Sequence, residues 1–385
     1  MKHTWTCEEI KATAIGKPTR RGLLKGGAAA MTGGFVAPFF SGPAQAESLG
    51  KMNLLAWEGF AFQEPLKDYL AAKGITLNIS TIATQDDVQA RLGGSTPTVI
   101  DVSSYNQGYS ELYGRILNIM QPLDEARVPN YNEADIFPEF FHKPAWYWEG
   151  KLYGVVMGWG INTIVYDPAK VPEPKSYTDL LKAEYTGKIA FVDDPLANWP
   201  IFARLSGLGA KYPNVSKDEL AKVFEAMAPY RDQSKTFAAS IGDVTNLFGS
   251  GEIAVMFCGW SGLPTETIKQ KVETRYVIPA EGGAVWSDAF FIPKTATNLD
   301  AAYAYIDGII SPEAQAKHAA NTLSGTINKK AVALMDDATR NLFDYNNLAD
   351  LFAKSPLPNI PPIKSDEFAT FDDWTKAYAD FKAGF

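Results

Sequence analysis

Residues 52–80, MNLLAWEGFAFQEPLKDYLAAKGITLNIS, decide the fold of this chain. The apolar runs 52–57 and 75–80 are short and are bounded by turn-forming residues, which predicts two buried strands. Between them, residues 64–73 place apolar side chains at helical spacing, and Gly74 follows where a helix would end. A strand, a helix and a second strand in this order predict a parallel βαβ unit.

The same alternation continues beyond this unit. A helix is predicted over 86–92 and a third strand over 98–102. Strands that alternate with helices form a parallel sheet with helices on its faces, so the chain is predicted to be α/β. The later elements predicted are a strand over 189–192, a helix that begins at Asn198 as its N-cap and ends at Gly209, a helix over 243–248, strands over 251–257 and 276–279, and helices over 300–310, 312–321 and 372–382.

Two segments interrupt this rhythm. Residues 121–150 contain four prolines and a dense set of aromatic residues, so they are predicted to form a long excursion on the surface or near a cleft. The apolar run 152–166, LYGVVMGWGINTIVY, follows, and we interpret it as the crossover between two lobes. Two lobes are also expected from the length, because 385 residues exceed the size at which one core usually stops growing.

Composition and charge narrow the classes of protein. The chain has 36 Lys and Arg against 44 Asp and Glu, a net charge of −8, and 46% hydrophobic residues. These values describe a globular protein and exclude a disordered or collagen-like chain. No run of basic residues occurs, so we expect no nucleic acid partner, since phosphates require a concentrated basic face.

Residues 1–46 are predicted to form a twin-arginine signal peptide. The segment TRRGLLK contains Arg20 and Arg21, a weakly apolar run rich in Gly and Ala follows, and Ala44-Gln45-Ala46 is an A-x-A cleavage site. We expect cleavage after Ala46 and a product that resides in a bacterial periplasm. The alternative is a buried apolar helix at an unprocessed N-terminus. A membrane span is disfavoured because the run is short and contains Gly and Pro.

Residues that carry catalytic or metal chemistry are scarce. After removal of the signal peptide, Cys258 is the one cysteine, so no internal disulfide can form. His142 and His318 lie far apart and outside any metal-ligand spacing, so we expect no metal site and place both on the surface or in the core. No nucleophile elbow or phosphate-binding loop occurs. We therefore expect no enzyme and no cofactor, although acid–base chemistry by carboxylates stays open.

Aromatic and polar residues stand where strands end, which is where open α/β sheets bind ligands. Trp57 and Phe60 follow the first predicted strand, and Ser103 and Tyr105 follow the third. Aromatic rings attract a primary ammonium group through cation–π interactions worth about 0.5–2 kcal/mol. The alternatives are a core position for Trp57 and an ordinary turn for Ser103 and Tyr105.

A carboxylate and an aromatic ring lie two residues apart further along the chain. In an extended segment Trp286 and Asp288 point to the same side, so one strand can present both halves of an amine clamp. Asp288 lies in the apolar run AVWSDAFFIP, where an unpaired carboxylate costs free energy. We interpret it as the acceptor for an ammonium group of a ligand, the alternative being an internal salt bridge.

Several segments together resemble one family. They are LLAWEGF, STIATQDDVQARL, VIDVSSYNQGY, GKLYGVVMGWGINTIVYDPAKV, GEIAVMFCGWSG and EGGAVWSDAFFIPKTA. Their order and spacing resemble the periplasmic spermidine/putrescine-binding proteins, which are receptors of ABC importers, within a wider group that includes γ-aminobutyrate binders. The resemblance implies a two-lobe, type II-like periplasmic binding protein in which each lobe is a mixed sheet flanked by helices and the ligand cleft lies between the lobes.

The resemblance also implies the division of the chain. Residues 47–158 are expected to form the first part of lobe 1, and residues 159–286 are expected to form lobe 2. Residues 287–385 are expected to return to lobe 1 and to supply the C-terminal helices.

The chain departs from the family pattern at one end of the pocket. The family's acidic motif, here Asp193-Asp194, continues with a carboxylate three residues later, and this position is Ala197. The family's tryptophan in the segment VMFCGWSG falls on Cys258, and Trp260, displaced from it, is the candidate ligand residue there. One amine-binding end is therefore expected to be lost. Asp194 stays a candidate ligand residue, and its alternative is a helix N-cap.

With one end lost, the ligand is expected to be a short amine such as putrescine or an amino acid such as γ-aminobutyrate. A carboxylate on the ligand would need a guanidinium opposite Asp288. Arg204 is the candidate, with a surface helix position as its alternative, and Arg231 is the reserve. We thus predict a monomeric periplasmic solute-binding protein that closes on its ligand and delivers it to an ABC permease. The alternatives are a spermidine-specific receptor and a periplasmic sensor or enzyme on the same fold.

Overall fold

A mixed β-sheet runs through the structure, a computed structural model that describes residues 48–57, 59–82, 85–238 and 240–384. The predicted signal peptide lies outside these residues. Within them, nine strands join in one sheet and two more form a separate ribbon. The strands are β1 Gly50–Trp57, β2 Ile75–Ile82, β3 Val102–Asn106, β4 Tyr147–Trp148, β5 Lys151–Leu152, β6 Val155–Tyr166, β7 Ile189–Val192, β8 Ser234–Ala238, β9 Val255–Trp260, β10 Arg275–Val277 and β11 Ala284–Phe291.

The sheet consists of two parallel halves joined by antiparallel strands. Its order is β2-β1-β3-β11-β6-β9-β7-β8, and β10 pairs with β6. Strand β1 is parallel to β2 and β3, and β7 is parallel to β8 and β9. Between these halves, β11 is antiparallel to β3 and to β6, and β6 is antiparallel to β9. The predicted α/β class with mixed sheets is confirmed.

Helices flank the sheet, and several begin at a side chain that caps their first turn. Ser216 and Glu219 form a capping box at one helix, and Thr370 and Asp373 form another at the C-terminal helix. None of the helices in the described residues is long and apolar enough to cross a bilayer. The α-helices are α1 Lys67–Lys73, α2 Gln85–Leu92, α3 Pro195–Leu205, α4 Lys217–Gln233, α5 Ile241–Ser250, α6 Leu263–Thr267, α7 Leu299–Ile309, α8 Pro312–Thr322, α9 Lys329–Val332, α10 Asp337–Arg340, α11 Leu348–Lys354 and α12 Phe371–Lys382.

Two large hydrophobic clusters lie on the two halves of the sheet. The first contains β1, β3 and α7, and the second contains β7, α3, α4 and α12. Strand β6 passes from one to the other, because Val155 and Ile161 pack in the first cluster and Ile164 packs in the second. Strand β11 also passes between the clusters, because Ala284 packs in the second cluster and Val285 packs in the first. These two strands therefore connect the halves.

The predicted βαβ unit is present as β1, α1 and β2, and Gly74 ends α1 with a φ of 60°. The third strand differs, because β3 begins at Val102, where the prediction ended it. The carboxylate of Asp101 accepts hydrogen bonds from the backbone of Asn53 and Asn298, so the residues before β3 serve as a connection. Strand β9 also begins four residues late, since Gly251 ends α5 with a φ of 77°.

Helix α3 begins one turn earlier than its predicted N-cap. Asp194 caps it and Pro195 fills its first position, so the Asp-Pro pair starts the helix before Asn198 is reached. Asn198 lies inside the helix, where its Nδ2 donates to the carbonyl of Val192 at 2.6 Å and to the hydroxyl of Tyr378 at 2.9 Å. The prediction of Asn198 as the N-cap was wrong.

The aromatic segment 121–150 is partly core. Ile136, Phe140 and Trp146 are each at most 3% exposed and pack in the first cluster, so this part does not lie on the surface. The apolar run that follows forms the single long strand β6. This strand passes between the two clusters, and its role as the crossover between lobes stays a prediction.

Candidate functional site

Asp288 is a buried carboxylate in the middle of the sheet. In β11 it lies opposite Asn106 of β3 and Gly158 of β6, and it is 8% exposed. Its Oδ1 atom is buried and has no hydrogen-bond partner among the described residues. Burial raises the pKa of this carboxyl to about 7, a hydrogen bond from Asn106 opposes the rise, and the charge of Asp194 adds to it. A buried carboxylate without a partner destabilises the folded state until a cation binds to it.

Asp194 brings a second carboxylate toward Asp288. It is the N-cap of α3, and its Oδ1 accepts a hydrogen bond from the backbone of Leu196 at 2.9 Å. Burial raises the pKa of Asp194, the helix N–H groups oppose this, and the charge of Asp193 adds to it. Among the described residues, no lysine or arginine lowers the pKa of either Asp194 or Asp288. We call Asp194 and Asp288 the acidic pair, since the charge of Asp194 acts on Asp288.

Trp286 and Phe60 provide an aromatic wall beside this pair. Trp286 shares the sheet face of Asp288, because the two residues alternate with Ser287 in β11. Its indole lies against Gly160, where an added Cβ would be 2.5 Å from the Trp286 Cζ2 atom. The ring of Phe60 meets the indole edge to face with centroids 6.1 Å apart. A glycine at 160 is therefore needed for the indole to lie flat on β6.

Two further predicted residues end strands on opposite halves of the sheet. Trp57 ends β1 and packs against the first cluster, and its Nε1 atom is buried without a partner among the described residues. Trp260 ends β9. A Cβ on Gly262 would be 3.1 Å from the Trp260 Nε1 atom and 2.8 Å from the carbonyl of Thr322, so Trp260 lies near the end of α8.

Ser103 and Tyr105 lie within β3, and their role in the site stays a prediction. Both are fully buried inside β3, opposite Phe291 and Ala289 of β11, and alternation places them on the sheet face away from Asp288. The ring of Tyr105 packs on that of Tyr113 with centroids 4.1 Å apart. The prediction took them as residues after a strand because it ended the third strand four residues early.

The two candidate arginines are engaged elsewhere. The guanidinium of Arg204 donates to the carbonyls of Glu281 at 3.3 Å and Gly283 at 2.6 Å, and it lies in the last turn of α3, about 15 Å along the helix from Asp194. Arg231 pairs with Asp232 at 2.9 Å and lies over the ring of Phe381. The structure brings neither guanidinium to Asp288.

The positions at which the chain departs from the family pattern are structural. Ala197 is fully buried in the second cluster, and its carbonyl accepts a hydrogen bond from the Sγ of Cys258 at 3.1 Å. Asp193 forms an ion pair with Lys382 of α12 at 2.8 Å. No group of metal-binding side chains occurs within the described residues. The site therefore consists of carboxylates and aromatic rings.

His318 of α8 lies in the core, which was one of its two predicted positions, and it borders the same region, since an added Cβ on Gly158, opposite Asp288, would be 3.6 Å from its Nε2 atom. It is 2% exposed and stacks on Phe62 with ring centroids 3.9 Å apart. The ring of Phe60 meets it edge to face at 5.1 Å. A lone histidine on an apolar helix face carries no sequence signal that separates a ligand contact from a core position.

A cavity of about 600 Å³ opens at a different place. Its walls include Glu111, Arg115, Trp148, Asn214 and Ile360, and none of the predicted ligand residues lines it. Gly108, at its edge, is close to Leu196, since an added Cβ would be 3.5 Å from the Leu196 Cδ1 atom. The cavity is therefore a neighbour of the acidic pair and does not contain it.

Comparison with known protein families shows which family the chain belongs to. The profile of the bacterial extracellular solute-binding proteins matches residues 65–343, so the chain belongs to this family. The putrescine-binding periplasmic protein PotF of Escherichia coli K12 is 25% identical over 94% of this chain and 98% of its own length. The putrescine-binding periplasmic protein SpuD of Pseudomonas aeruginosa UCBPP-PA14 is 26% identical over 78% of this chain and 84% of its own.

Solved structures agree on the fold. The spermidine/putrescine ABC transporter substrate-binding protein PotD of Streptococcus pneumoniae superposes with a TM-score of 0.70 at 23% identity, over 87% of this chain and 98% of its own. A GABA receptor superposes with a TM-score of 0.60 at 17% identity, over 87% of this chain and 96% of its own. The expected resemblance and the two-lobe periplasmic binding protein fold are confirmed.

Proposed function

We propose that this protein is the receptor of an ABC importer for a short aliphatic amine, with putrescine as the first candidate. The observation that carries this proposal is the buried, unpartnered Oδ1 of Asp288 beside the carboxylate of Asp194. An ammonium group would supply the missing hydrogen bonds and the missing counter-charge. The putrescine-binding relatives support the same ligand class. The protein acts by binding and delivery, as a monomer, and not as an enzyme.

The charges around the site rank the possible ligands. A zwitterion such as γ-aminobutyrate needs a cation for its carboxylate, and Arg204 is committed to the carbonyls of Glu281 and Gly283. Spermidine carries an extra ammonium group, and the position where the family pattern has a further carboxylate is the buried Ala197. Burying an ammonium group without a counter-charge costs several kcal/mol. We therefore place putrescine ahead of both γ-aminobutyrate and spermidine.

A thermal-shift screen of the purified protein against putrescine, spermidine, γ-aminobutyrate and simple amines tests this proposal. A ligand at 100 times its Kd stabilises the folded state by about 2.7 kcal/mol, so a true ligand gives a clear shift. We expect the largest shift with putrescine. A shift with γ-aminobutyrate and none with putrescine would contradict the proposal, and so would a larger shift with spermidine.

Closure of the two halves on the ligand is expected to use β6 and β11 as hinge strands. We propose that lobe 1 contains residues 47–158 and the return segment from 287, that lobe 2 contains residues 159–286, and that α12 packs on lobe 2. Small-angle scattering should then show a smaller radius of gyration when putrescine is bound. An equal radius with and without putrescine would contradict closure.

The site of action is proposed to be the periplasm, reached through the twin-arginine route. Arg20 and Arg21 carry this proposal, together with the A-x-A site that ends at Ala46. Replacing both arginines by lysine is expected to leave the uncleaved protein in the cytoplasm, as measured by cell fractionation. Unchanged export of the double variant would contradict this route and leave the binding proposal unaffected.

A further inference from the structure

His318 has a buried ring nitrogen without a partner. The residue is 2% exposed, and its Nε2 atom has no hydrogen-bond partner among the described residues. Burial lowers the pKa of His318 to about 3, so the imidazole is neutral near pH 7. A neutral imidazole has one nitrogen that donates a hydrogen bond and one that accepts. A buried polar atom left unpaired in this way calls for an explanation.

The unpartnered nitrogen lies near the acidic pair. A Cβ added to Gly158 would be 3.6 Å from the Nε2 of His318, and Gly158 is the residue of β6 directly opposite Asp288. Side chains opposite each other on antiparallel strands share a sheet face. His318 therefore approaches the face that carries Asp288 and Trp286.

Packing holds the imidazole in this position. One turn before His318, the amide of Gln315 donates to the carbonyl of Met157 at 2.8 Å, which ties α8 to β6. The ring of Phe62 stacks on the imidazole, and Phe60 meets it at the edge. Phe60 in turn meets Trp286, so a row of aromatic rings joins His318 to the wall beside Asp288.

We propose that His318 accepts a hydrogen bond from the distal amino group of the ligand, while Asp288 receives the proximal one. This inference rests on the proposed function and adds a specificity-determining residue to it. Because the imidazole is neutral, it supplies a hydrogen-bond acceptor and no charge, and the charge of the distal ammonium group is offset by the second carboxylate, Asp194. Phe60, Phe62 and Trp286 offer ring faces and edges to the carbon chain between the two amino groups. His318 thus selects a short diamine over a monoamine of the same length.

A comparison of putrescine with butylamine in two forms of the protein tests this inference. Butylamine has the same carbon chain without the distal amino group. We expect the wild type to bind putrescine at least tenfold more tightly than butylamine. In His318→Phe the preference should fall below threefold, with butylamine affinity changed less than threefold. His318→Gln restores a hydrogen-bond acceptor and should recover part of the preference for putrescine. It also keeps the inference testable if His318→Phe does not fold.

The control is the other histidine of the mature chain. His142 pairs with Glu125 at 2.8 Å and stacks on Tyr147, so His142→Phe should leave the affinities for both amines unchanged. An equal loss of both ligands in His318→Phe would show a structural role and overturn the inference, and so would an unchanged preference. Failure of the wild type to bind either amine would overturn the proposed function itself. Binding of γ-aminobutyrate that depends on His318 would show that Nε2 donates to a carboxylate, which also overturns the inference.

Discussion

Replacing Asp288 by asparagine is expected to weaken putrescine binding at least 100-fold at pH 8. Asparagine keeps the shape of the side chain and removes the charge that the ammonium group needs. Removing one partner of a buried charge pair costs about 3–5 kcal/mol, which corresponds to a factor of about 100 or more in affinity. Calorimetric titration of both proteins with putrescine measures the difference. Equal affinities would remove Asp288 from the site.

The same substitution is expected to stabilise the ligand-free protein at pH 8. The folded pKa of Asp288 lies above its usual value, so the folded state holds a proton that the unfolded state releases between about pH 4 and 7. Stability is therefore lost as the pH rises through this window. A rise of the pKa to about 7 corresponds to a loss of about 2–4 kcal/mol above pH 7. Asparagine carries no such loss, and thermal unfolding at pH 5 and pH 8 would measure the contrast.

Asp193→Asn is the matched control for both measurements. Asp193 lies next to Asp194 in sequence and forms a partly exposed ion pair with Lys382. Loss of this pair should cost about 1 kcal/mol or less and leave putrescine affinity within a few fold of the wild type. A variant at 193 that lost binding as strongly as the variant at 288 would show that general negative charge, and not Asp288, governs affinity.

Putrescine affinity should fall as the pH drops below 7. The amine binds the ionised form of Asp288, whose pKa is raised to about 7, so affinity should fall about tenfold per pH unit below that value. Above pH 7 the affinity should stay level until the amine itself loses its proton. Titrations at pH 5, 6, 7 and 8 measure this profile, and binding at pH 6 should release protons to the buffer. An affinity that is flat from pH 5 to 8 would contradict the raised pKa.

The neighbouring groups affect this profile in known directions. The pKa of Asp194 is also raised, so its protonation adds to the fall in affinity at low pH. His318 stays neutral, since burial lowers its pKa to about 3. Tyr105 stays neutral as well, because burial holds its pKa well above 10. In Asp288→Asn the remaining dependence should come from Asp194 alone and be much weaker.

The sequence predicts the first βαβ unit and the connecting strand because the patterns that indicate them lie within short stretches of the chain. The alternation over residues 52–80 gives β1, α1 and β2, and the apolar run 152–166 gives the connecting strand β6. Strand alternation also predicts that Trp286 and Asp288 share a face, since that relation needs only two residues of extended chain. The apolar neighbours of Asp288 in the chain likewise suffice to indicate a carboxylate that is costly to bury.

The features that the sequence does not predict depend on contacts between distant parts of the chain. Ser103 and Tyr105 lie inside β3 and not after it, because Asp101 is held by backbone groups of Asn53 and Asn298 and β3 starts late. The guanidinium of Arg204 donates to carbonyls almost 80 positions further along the chain, which the local sequence does not indicate. His318 lies beside β6 because α8 is tied to that strand, which no local sequence pattern reports.

A crystal structure of the protein with putrescine would show whether Asp288 binds the amine. One ammonium nitrogen is expected within about 2.7–3.2 Å of the carboxylate of Asp288, with the carbon chain against Trp286 and Phe60. Putrescine found in the 600 Å³ cavity beside Arg115 and Trp148, with Asp288 left unpartnered, would contradict it.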